Sequence, residues 1–496
     1  MIFTRRQCLS IFLFLSTVSG LKASQIEYSD LAKDTYHNII SLKFIKAKEQ
    51  IQLLKMQEPD NMVVVHLENY IQCLTLFIDE DQNAFEASKQ IKKERLKLLE
   101  SSDNNSPYYL YLQADIRMQW AMVRIKFEEY LGAFNDISKA HKLLKKNKEL
   151  FPDFLPNDKN LGLLHALAGT IPDAYKWGVS LISGLKGSIK QGREEIKAVL
   201  EAAKHQDFLF EEETLVYYAL ILMHLENKPE SAWEVLSANF RPENSPMHAM
   251  LLATIAMRSG RNDKAIEILE NKPKSNQYNP FYFTDYLLGV AKLRRLDVDA
   301  DVYLLKYVNH YKGRNFIKDA YQKLAWHALQ KNDHMTYYRY MSHCMDKGKA
   351  LTGDDISALQ AANEKKIPNI HLINSRLLFD GAYFKKAEAE LKKIDFKGLT
   401  DQKDQLEFFY RSGRVAHGLK QYSQAVFYYN RTIQLGKFSP YYFACNAALQ
   451  GGIIYEKQKI YAKSKEYFEL CLEIQPSEYR NGLHQQAKAG LDRISR

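Results

Sequence analysis

The chain has 496 residues, which is longer than one compact core usually grows, so it holds several domains or grows by stacking repeats. Its 22 glycines and 13 prolines are too few for a loop-rich β-sandwich or barrel, and 46% hydrophobic residues exclude global disorder. The formal net charge of +10 comes from scattered lysines interleaved with acids, a pattern typical of solvated helix faces. Composition therefore predicts a folded helical protein that binds no nucleic acid, and it points to no reaction.

The first two dozen residues have the features of a cleaved signal peptide. Arg5 and Arg6 form a basic start, residues 9–18 are apolar, and a small residue such as Ala23 offers a cleavage site. The apolar run is shorter than the ~20 residues that a membrane-spanning helix needs. Loss of residues 1–23 removes two arginines and one lysine, so the net charge becomes (69 − 3) − 59 = +7. We expect a mature protein that is periplasmic or secreted.

Apolar residues at three- and four-residue spacing predict helices along most of the remaining chain. These stretches are 62–99, 109–149, 194–226, 249–270, 317–345 and 373–393. Three of the helix starts share a Ser or Asn before a proline and two aromatics: 106–109, 279–282 and 439–442. The Ser or Asn is predicted to cap the helix, with proline at its first position.

Residues 151–192 depart from this pattern because apolar residues and glycines are concentrated there. Pro172, Asp173 and Lys176 interrupt the segment, so it is not a membrane span. Two interpretations stay open. The segment is either a helical hairpin packed inside the fold or an exposed apolar element, with Trp177 and Tyr175, that docks a partner or contacts a membrane surface peripherally.

The last quarter contains a repeated spacing. Gly413 and Gly452 are each followed nine residues later by tyrosine, twelve later by a small residue and sixteen later by an aromatic. Small residues let two helices approach closely, and large side chains fill the space between repeats. This spacing resembles the tetratricopeptide repeat (TPR), a helix–turn–helix unit of about 34 residues. The resemblance implies an all-α solenoid, a right-handed superhelix of antiparallel helix pairs, with roughly eleven to thirteen pairs in the mature chain.

We divide the chain accordingly. The expected units are a signal peptide (1–23), N-terminal TPR-like repeats (24–150), a non-repeat apolar hairpin (151–205), degenerate TPR-like repeats (206–370) and C-terminal TPR repeats (371–496).

The central segment carries a second resemblance. Residues 162–165, 171–172, 175–176 and 184–187, with Gly192 beyond them, resemble the central signature of a TPR-containing family. Eukaryotic members of that family are linked to outer mitochondrial membranes and to lipid or inclusion handling. The resemblance implies a shared architecture. An exported protein could not act at mitochondria, so the family's role is not expected here.

Catalytic and metal-binding patterns are absent from the sequence. It contains no phosphate-binding GxxxxGK[ST] loop, no GxSxG elbow, no HExxH and no CxxC. No cofactor, metal or catalytic residue is therefore predicted. Of the cysteines outside the signal peptide, Cys445 and Cys471 are expected to be neighbours in one helix pair and to stay free thiols.

A TPR superhelix is lined on its concave face by the first helix of each pair. Counting from the two glycines, the predicted groove residues are Glu407, Tyr410, Arg414, His417, Asn446 and Glu456, with Leu449 and Ile453 between the last two. Arginine can bind a carboxylate through two hydrogen bonds, and tyrosine and asparagine suit peptide backbones. An ordinary solvated helix face is the alternative.

The sequence as a whole favours a non-enzymatic scaffold of the bacterial cell envelope that binds a protein or peptide partner in a TPR groove. The alternative is a glycan- or nutrient-binding helper of the SusD-like type, whose members also use TPR helices. SusD-like proteins are usually lipoproteins with long loop insertions, and this sequence has neither feature.

Overall fold

The computed structural model describes residues 26–170 and 184–495, and this part of the chain is helical, with no β-strand. The first helices are α1 (Asp30–Ile40), α2 (Phe44–Gln57), α3 (Val63–Asp79), α4 (Gln82–Glu100), α5 (Tyr108–Lys126), α6 (Tyr130–Leu150) and α7 (Leu155–Ala168). They are followed by α8 (Ile189–Ala203), α9 (Glu211–Leu220), a π-helical turn (Ile221–Leu225), α10 (Pro229–Asn239), α11 (Pro246–Arg258), α12 (Asn262–Glu270), α13 (Phe283–Arg295), α14 (Ala300–His310), α15 (Ile317–Gln330), α16 (His334–Asp346) and α17 (Gly353–Asn363). The last are α18 (Ile370–Asp380), α19 (Phe384–Leu391), a 3₁₀ turn (Phe396–Gly398), α20 (Gln402–Gly418), α21 (Tyr422–Gly436), α22 (Phe443–Lys457), α23 (Tyr461–Glu473) and α24 (Arg480–Ile494).

Consecutive helices pack as antiparallel pairs, and each pair stacks on the next. The described residues contain eleven such pairs, from α1/α2 to α22/α23, together with the single helices α17 and α24. The predicted all-α solenoid of TPR-like helix pairs is therefore confirmed.

The turn inside nearly every pair contains a residue in the left-handed backbone conformation, and that residue is seldom glycine. Examples are Glu80, Glu128, Lys420 and Lys459, with φ between 52° and 63°. A left-handed residue after the last helical turn reverses the chain sharply. Because these turns use ordinary side chains, the low glycine content is compatible with many helix ends.

The repeated glycine spacing reflects a direct contact inside each C-terminal pair. A Cβ atom placed on Gly413 would lie 2.5 Å from the ring of Tyr429, and one on Gly452 would lie 2.5 Å from the ring of Phe468. The hydroxyl of Ser464 donates a hydrogen bond to the Gly452 carbonyl oxygen at 2.9 Å. The aromatic that follows sixteen residues after each glycine therefore packs onto it, as the spacing predicted.

The predicted helix starts are met only in part, at α5. Ser106 accepts a hydrogen bond from the Tyr108 N–H at 3.2 Å, but Pro107 is itself the N-cap residue and α5 begins after it, at Tyr108. The caps predicted at Asn279 and Ser439 are wrong, because α13 and α22 begin later, at Phe283 and Phe443. In both cases the aromatic residues after the proline form an extra turn before the helix starts.

Helices α7 and α8 pack closely through glycines of the central segment. A Cβ atom on Gly192 would lie 2.2 Å from the Gly162 carbonyl oxygen, so the two backbones touch. Trp177 and Tyr175 lie outside the described residues, and both interpretations of that part of the segment stay open.

The N-terminal helices also contact loops far along the chain. The Glu80 side chain, 3% exposed, accepts hydrogen bonds from the backbone N–H groups of Arg314 and Asn315, both at 2.9 Å. The Asn279 N–H donates to the Leu42 carbonyl oxygen at 2.7 Å. The first two helix pairs are thus joined to loops in the middle of the chain, beyond the contacts between neighbouring pairs.

Candidate functional site

The first helices of the last three pairs, α18, α20 and α22, line a cavity of about 440 Å³ together with α24. We call this cavity the arginine groove. Its lining residues are Arg376, Phe379, Asp380, Tyr410, Arg411, Arg414, Tyr442, Asn446, Tyr479, Gly482, Leu483 and Gln486. The groove therefore lies where the first helices of successive pairs face each other.

Arg414 is a partly buried cation of the groove. Its guanidinium lies over the Phe379 ring, with 4.9 Å between the Cζ atom and the ring centroid, and Nη1 donates to the Tyr410 hydroxyl at 3.4 Å. Its Nε–H is buried and has no hydrogen-bond acceptor within the described chain. Burial lowers the pKa of Arg414, but the hydroxyls of Tyr410 and Tyr429 outweigh it and raise the pKa overall. The group is therefore a charged donor with unused hydrogen-bonding capacity.

The other two arginines of the groove differ in their partners. Arg411 forms an ion pair with Glu407 through Nε at 3.0 Å and Nη2 at 2.9 Å, and its side chain is 7% exposed. Arg376 stacks over the Trp326 ring at 5.2 Å and forms no ion pair with any described residue. Two of three guanidiniums thus lack a partner acid, and the groove carries an excess of positive charge.

Tyrosine and asparagine side chains fix the walls of the groove. The Asn446 Nδ2–H donates to the Tyr410 hydroxyl at 2.8 Å, which joins α22 to α20. The Tyr442 ring meets the Tyr410 ring edge-on at 5.7 Å and the Tyr479 ring at 5.2 Å. Rigid aromatics beside fixed donors are typical of sites that bind another molecule.

A second cavity, of about 320 Å³, adjoins the groove and shares Arg376, Arg411, Tyr442 and Tyr479 with it. Acidic side chains outnumber lysines among its other lining residues, which include Asp404, Glu407 and Glu478. Burial raises the pKa of Asp404 and, for the same reason, that of Glu478.

The structure brings together three of the predicted groove residues, Tyr410, Arg414 and Asn446, and places Glu407 behind them as the partner of Arg411. Tyr410 is only 3% exposed, so it offers its hydroxyl rather than its ring face. The Arg414 side chain is packed on the ring of Phe379.

The remaining predicted residues lie away from the groove. His417 contacts Tyr429 of α21, with Nδ1 3.3 Å from the hydroxyl oxygen. Glu456 accepts two hydrogen bonds from Arg493 of α24, at 2.6 Å and 2.8 Å. Leu449 is buried in the core. These positions belong to the contacts between helices.

Sequence reasoning missed Arg376, Arg411, Tyr442 and Tyr479. Arg411 lies four residues after Glu407 and hence on the same helix face, so the helical period could have found it. Tyr442 was singled out only as part of a helix start. Arg376 comes from the preceding pair and Tyr479 from the turn before α24, and only the stacking of pairs brings them to the groove.

Other kinds of site find no support within residues 26–170 and 184–495. No group of three or more His, Cys, Asp or Glu residues there could hold a metal ion. None of the helices in that part of the chain is both long and apolar enough to span a bilayer.

The fold is a solenoid of helix pairs, and the arginine groove lies between the first helices of its last three pairs. Residues 451–478, which form most of the last pair, match the family model described as "Tetratricopeptide repeat". No curated protein matches the chain. The match covers the part of the chain in which the repeat spacing is clearest.

Two solved structures align over most of the chain. One is the APC/C hetero-tetramer Cut9–Hcn1, at 11% identity and a TM-score of 0.26, covering 94% of this chain and 96% of that one. The other is yeast Tom70, at 13% identity and a TM-score of 0.23, with the same two coverages. With TM-scores this low, neither structure informs the function of this chain. The family model that matches describes a repeat and names no enzyme.

Proposed function

We propose that the protein is a non-catalytic interaction scaffold that binds an acidic or carboxylate-bearing segment of a protein partner in the arginine groove. The observation that carries the proposal is that Arg376 and Arg414 both line the groove and form no ion pair with a described residue. Charged groups that are partly removed from water are stabilised by a partner of opposite charge. A bound carboxylate would supply that partner.

The shape of the groove suits such a segment. Arg376 and Arg414 come from neighbouring pairs and both lack partner acids. A guanidinium binds a carboxylate through two parallel hydrogen bonds, which gives orientation as well as affinity. Tyr442 and Tyr479 provide apolar walls for the rest of the segment, and Asn446 lies beside them.

We further propose that the protein acts in the cell envelope or outside the cell, where its partner must also be present. This part rests on the signal-like pattern of residues 1–23. N-terminal sequencing of the protein recovered from fractionated cells tests it. A mature chain that begins near residue 24 in the periplasm or medium is expected, and an uncleaved chain in the cytoplasm would contradict it.

The groove is tested by site-specific photocrosslinking in envelope extract. A photoreactive residue is placed at Gln486, which is exposed at the groove edge, and in a control at Phe427, which is 56% exposed on α21. We expect one stoichiometric protein partner to be crosslinked from Gln486 and not from Phe427. A partner crosslinked equally from both positions, or an oligosaccharide in place of a protein, would contradict the proposal.

Arg414→Met tests the charge, since it keeps most of the side-chain length over Phe379. Charge-assisted hydrogen bonds contribute about 1.5–3 kcal/mol, so partner affinity should fall roughly ten- to hundredfold. Arg431→Met is the matched control, because Arg431 is exposed on α21 outside the groove. Equal loss of affinity in both variants would indicate general charge attraction instead of recognition in the groove.

A further inference from the structure

A third cavity, in the N-terminal half, is separate from the arginine groove and from the cavity that adjoins it. It has a volume of about 360 Å³ and lies between α3, α5, α6, α7, α9 and the π-helical turn. Small-molecule sites usually have volumes of about 300–1,000 Å³ and apolar walls with few polar groups. We call it the apolar cavity.

The walls and the mouth of the apolar cavity are hydrophobic. Leu74, Met118 and Leu220 are among its wall residues. Phe77, Met122 and Leu167 also line it and are 38%, 49% and 36% exposed, so they mark its opening. Large apolar side chains exposed together around a cavity indicate a surface that another molecule covers.

The π-helical turn is an independent indication of a site. Residues Ile221–Leu225 interrupt the regular helix after α9, and Ile221, His224 and Leu225 all line the cavity. Such turns are rare and occur frequently at functional sites, because they rotate side chains away from the positions that a regular helix would give them.

The inner end of the cavity is polar and rich in hydrogen-bond acceptors. Glu213 accepts hydrogen bonds from the hydroxyls of Tyr70 at 2.7 Å and Tyr217 at 2.8 Å, and its other oxygen lies 2.5 Å from the Lys159 ammonium. Asp115 accepts from Gln119 at 2.7 Å and contacts His66 and Asn160, which lie behind the cavity wall.

The polar end of the apolar cavity favours a ligand group that donates hydrogen bonds over a ligand carboxylate. Each carboxylate has about four acceptor positions, and three are used on each of Glu213 and Asp115. The hydroxyl hydrogens of Tyr70 and Tyr217 already point to Glu213, so the pocket offers acceptors and few donors. Lys159, which is fully buried, is the one lysine facing both carboxylates in the described chain. A ligand carboxylate would meet two carboxylates against one lysine, in a medium of low dielectric constant.

We propose that the apolar cavity binds a small amphiphile with an aliphatic body and a hydrogen-bond-donating hydroxyl or amino end. The aliphatic body lies between Leu74, Met118 and Leu220, and the donor end points to Glu213 and Asp115. The site is independent of partner binding in the arginine groove.

The first test measures binding of the fluorescent probe N-phenyl-1-naphthylamine to the full mature chain, with competition by compounds of equal chain length. We expect saturable binding of one probe per protein. At pH 8, 1-decanol and decylamine should displace the probe at least tenfold more effectively than decanoate. Absence of saturable binding, or displacement by decanoate as effective as by decanol, would overturn the proposal.

The second test places a bulky side chain in the mouth. Leu167→Trp should weaken probe binding at least tenfold, and Met122→Trp serves in its place if that variant does not fold. Leu131→Trp is the matched control, because Leu131 is 88% exposed on α6 and does not line the cavity. Loss of probe binding in the control as well, or retention in both mouth variants, would show adsorption elsewhere and overturn the proposal.

Discussion

Replacing Gly452 by alanine tests whether the glycine spacing is required for packing. The added Cβ atom would lie 2.5 Å from two ring carbons of Phe468, whose side chain is fully buried. The ring cannot retreat, because its opposite edge faces Gly490, where a Cβ atom would also lie 2.5 Å away. Overpacking of this kind costs about 1–3 kcal/mol, and the better helix propensity of alanine returns up to about 1 kcal/mol. We expect a net loss of about 1–2 kcal/mol.

The effect should be local, so the assay must report on the last pairs. All four tryptophans of the chain, at positions 120, 177, 233 and 326, precede them, and tryptophan fluorescence would miss the change. Hydrogen exchange read by mass spectrometry on peptides from α22 to α24 is the suitable measurement. Protection there should fall roughly five- to thirtyfold, which corresponds to a loss of about 1–2 kcal/mol.

The control for this prediction is Gly482→Ala. A Cβ atom on Gly482, in the first turn of α24, meets nothing within 4 Å, so alanine should stabilise that helix slightly. Unchanged or increased protection in Gly452→Ala would refute the packing argument. Equal loss of protection in the N-terminal helices would refute the claim that the effect is local.

Three further predictions concern buried polar groups. Burial, together with nearby Arg414, lowers the pKa of His417 to about 4, so the unfolded chain binds a proton first as pH falls. Stability should be full above pH ~6.5 and decrease toward pH 4, and His417→Gln should remove part of this dependence in urea titrations. Cys445 and Cys471 are fully buried, and their sulfurs are 3.6 Å apart, which is too far for a disulfide bond. Both thiols should therefore react with an alkylating reagent only after denaturation. A disulfide-linked peptide in a non-reduced digest would contradict this. Glu80→Gln should lower the free energy of unfolding by roughly 2–4 kcal/mol in urea denaturation, because it removes the charge of a buried hydrogen-bond acceptor. A change below ~0.5 kcal/mol would contradict a stabilising role for the contact between Glu80 and residues 314–315.

The sequence predicts those parts of the fold that depend on contacts between nearby residues. The distance of sixteen residues from Gly413 to Tyr429 recurs from Gly452 to Phe468, and both contacts are present. The break between α3 and α4 was not predicted, because Glu80 adopts a left-handed conformation without the glycine that usually signals it.

Only those groove residues that lie close together in sequence could be predicted. Tyr410 and Arg414 follow from the period of one helix. Arg376 converges with them only because successive pairs stack at a particular angle, and the chain segments concerned are more than thirty residues apart. Burial of the Arg414 side chain on Phe379 likewise depends on that angle, which no local pattern encodes.

The contact between Glu80 and the loop at residues 314–315 has a mechanical consequence. A solenoid in which each pair contacts only its neighbours extends like a spring and unravels from either end. Here hydrogen bonds spanning 234 and 235 residues join α3 to the loop before α15. A stretching force applied between the first helices and residues beyond 316 would therefore have to break these buried hydrogen bonds before the intervening pairs could separate in turn.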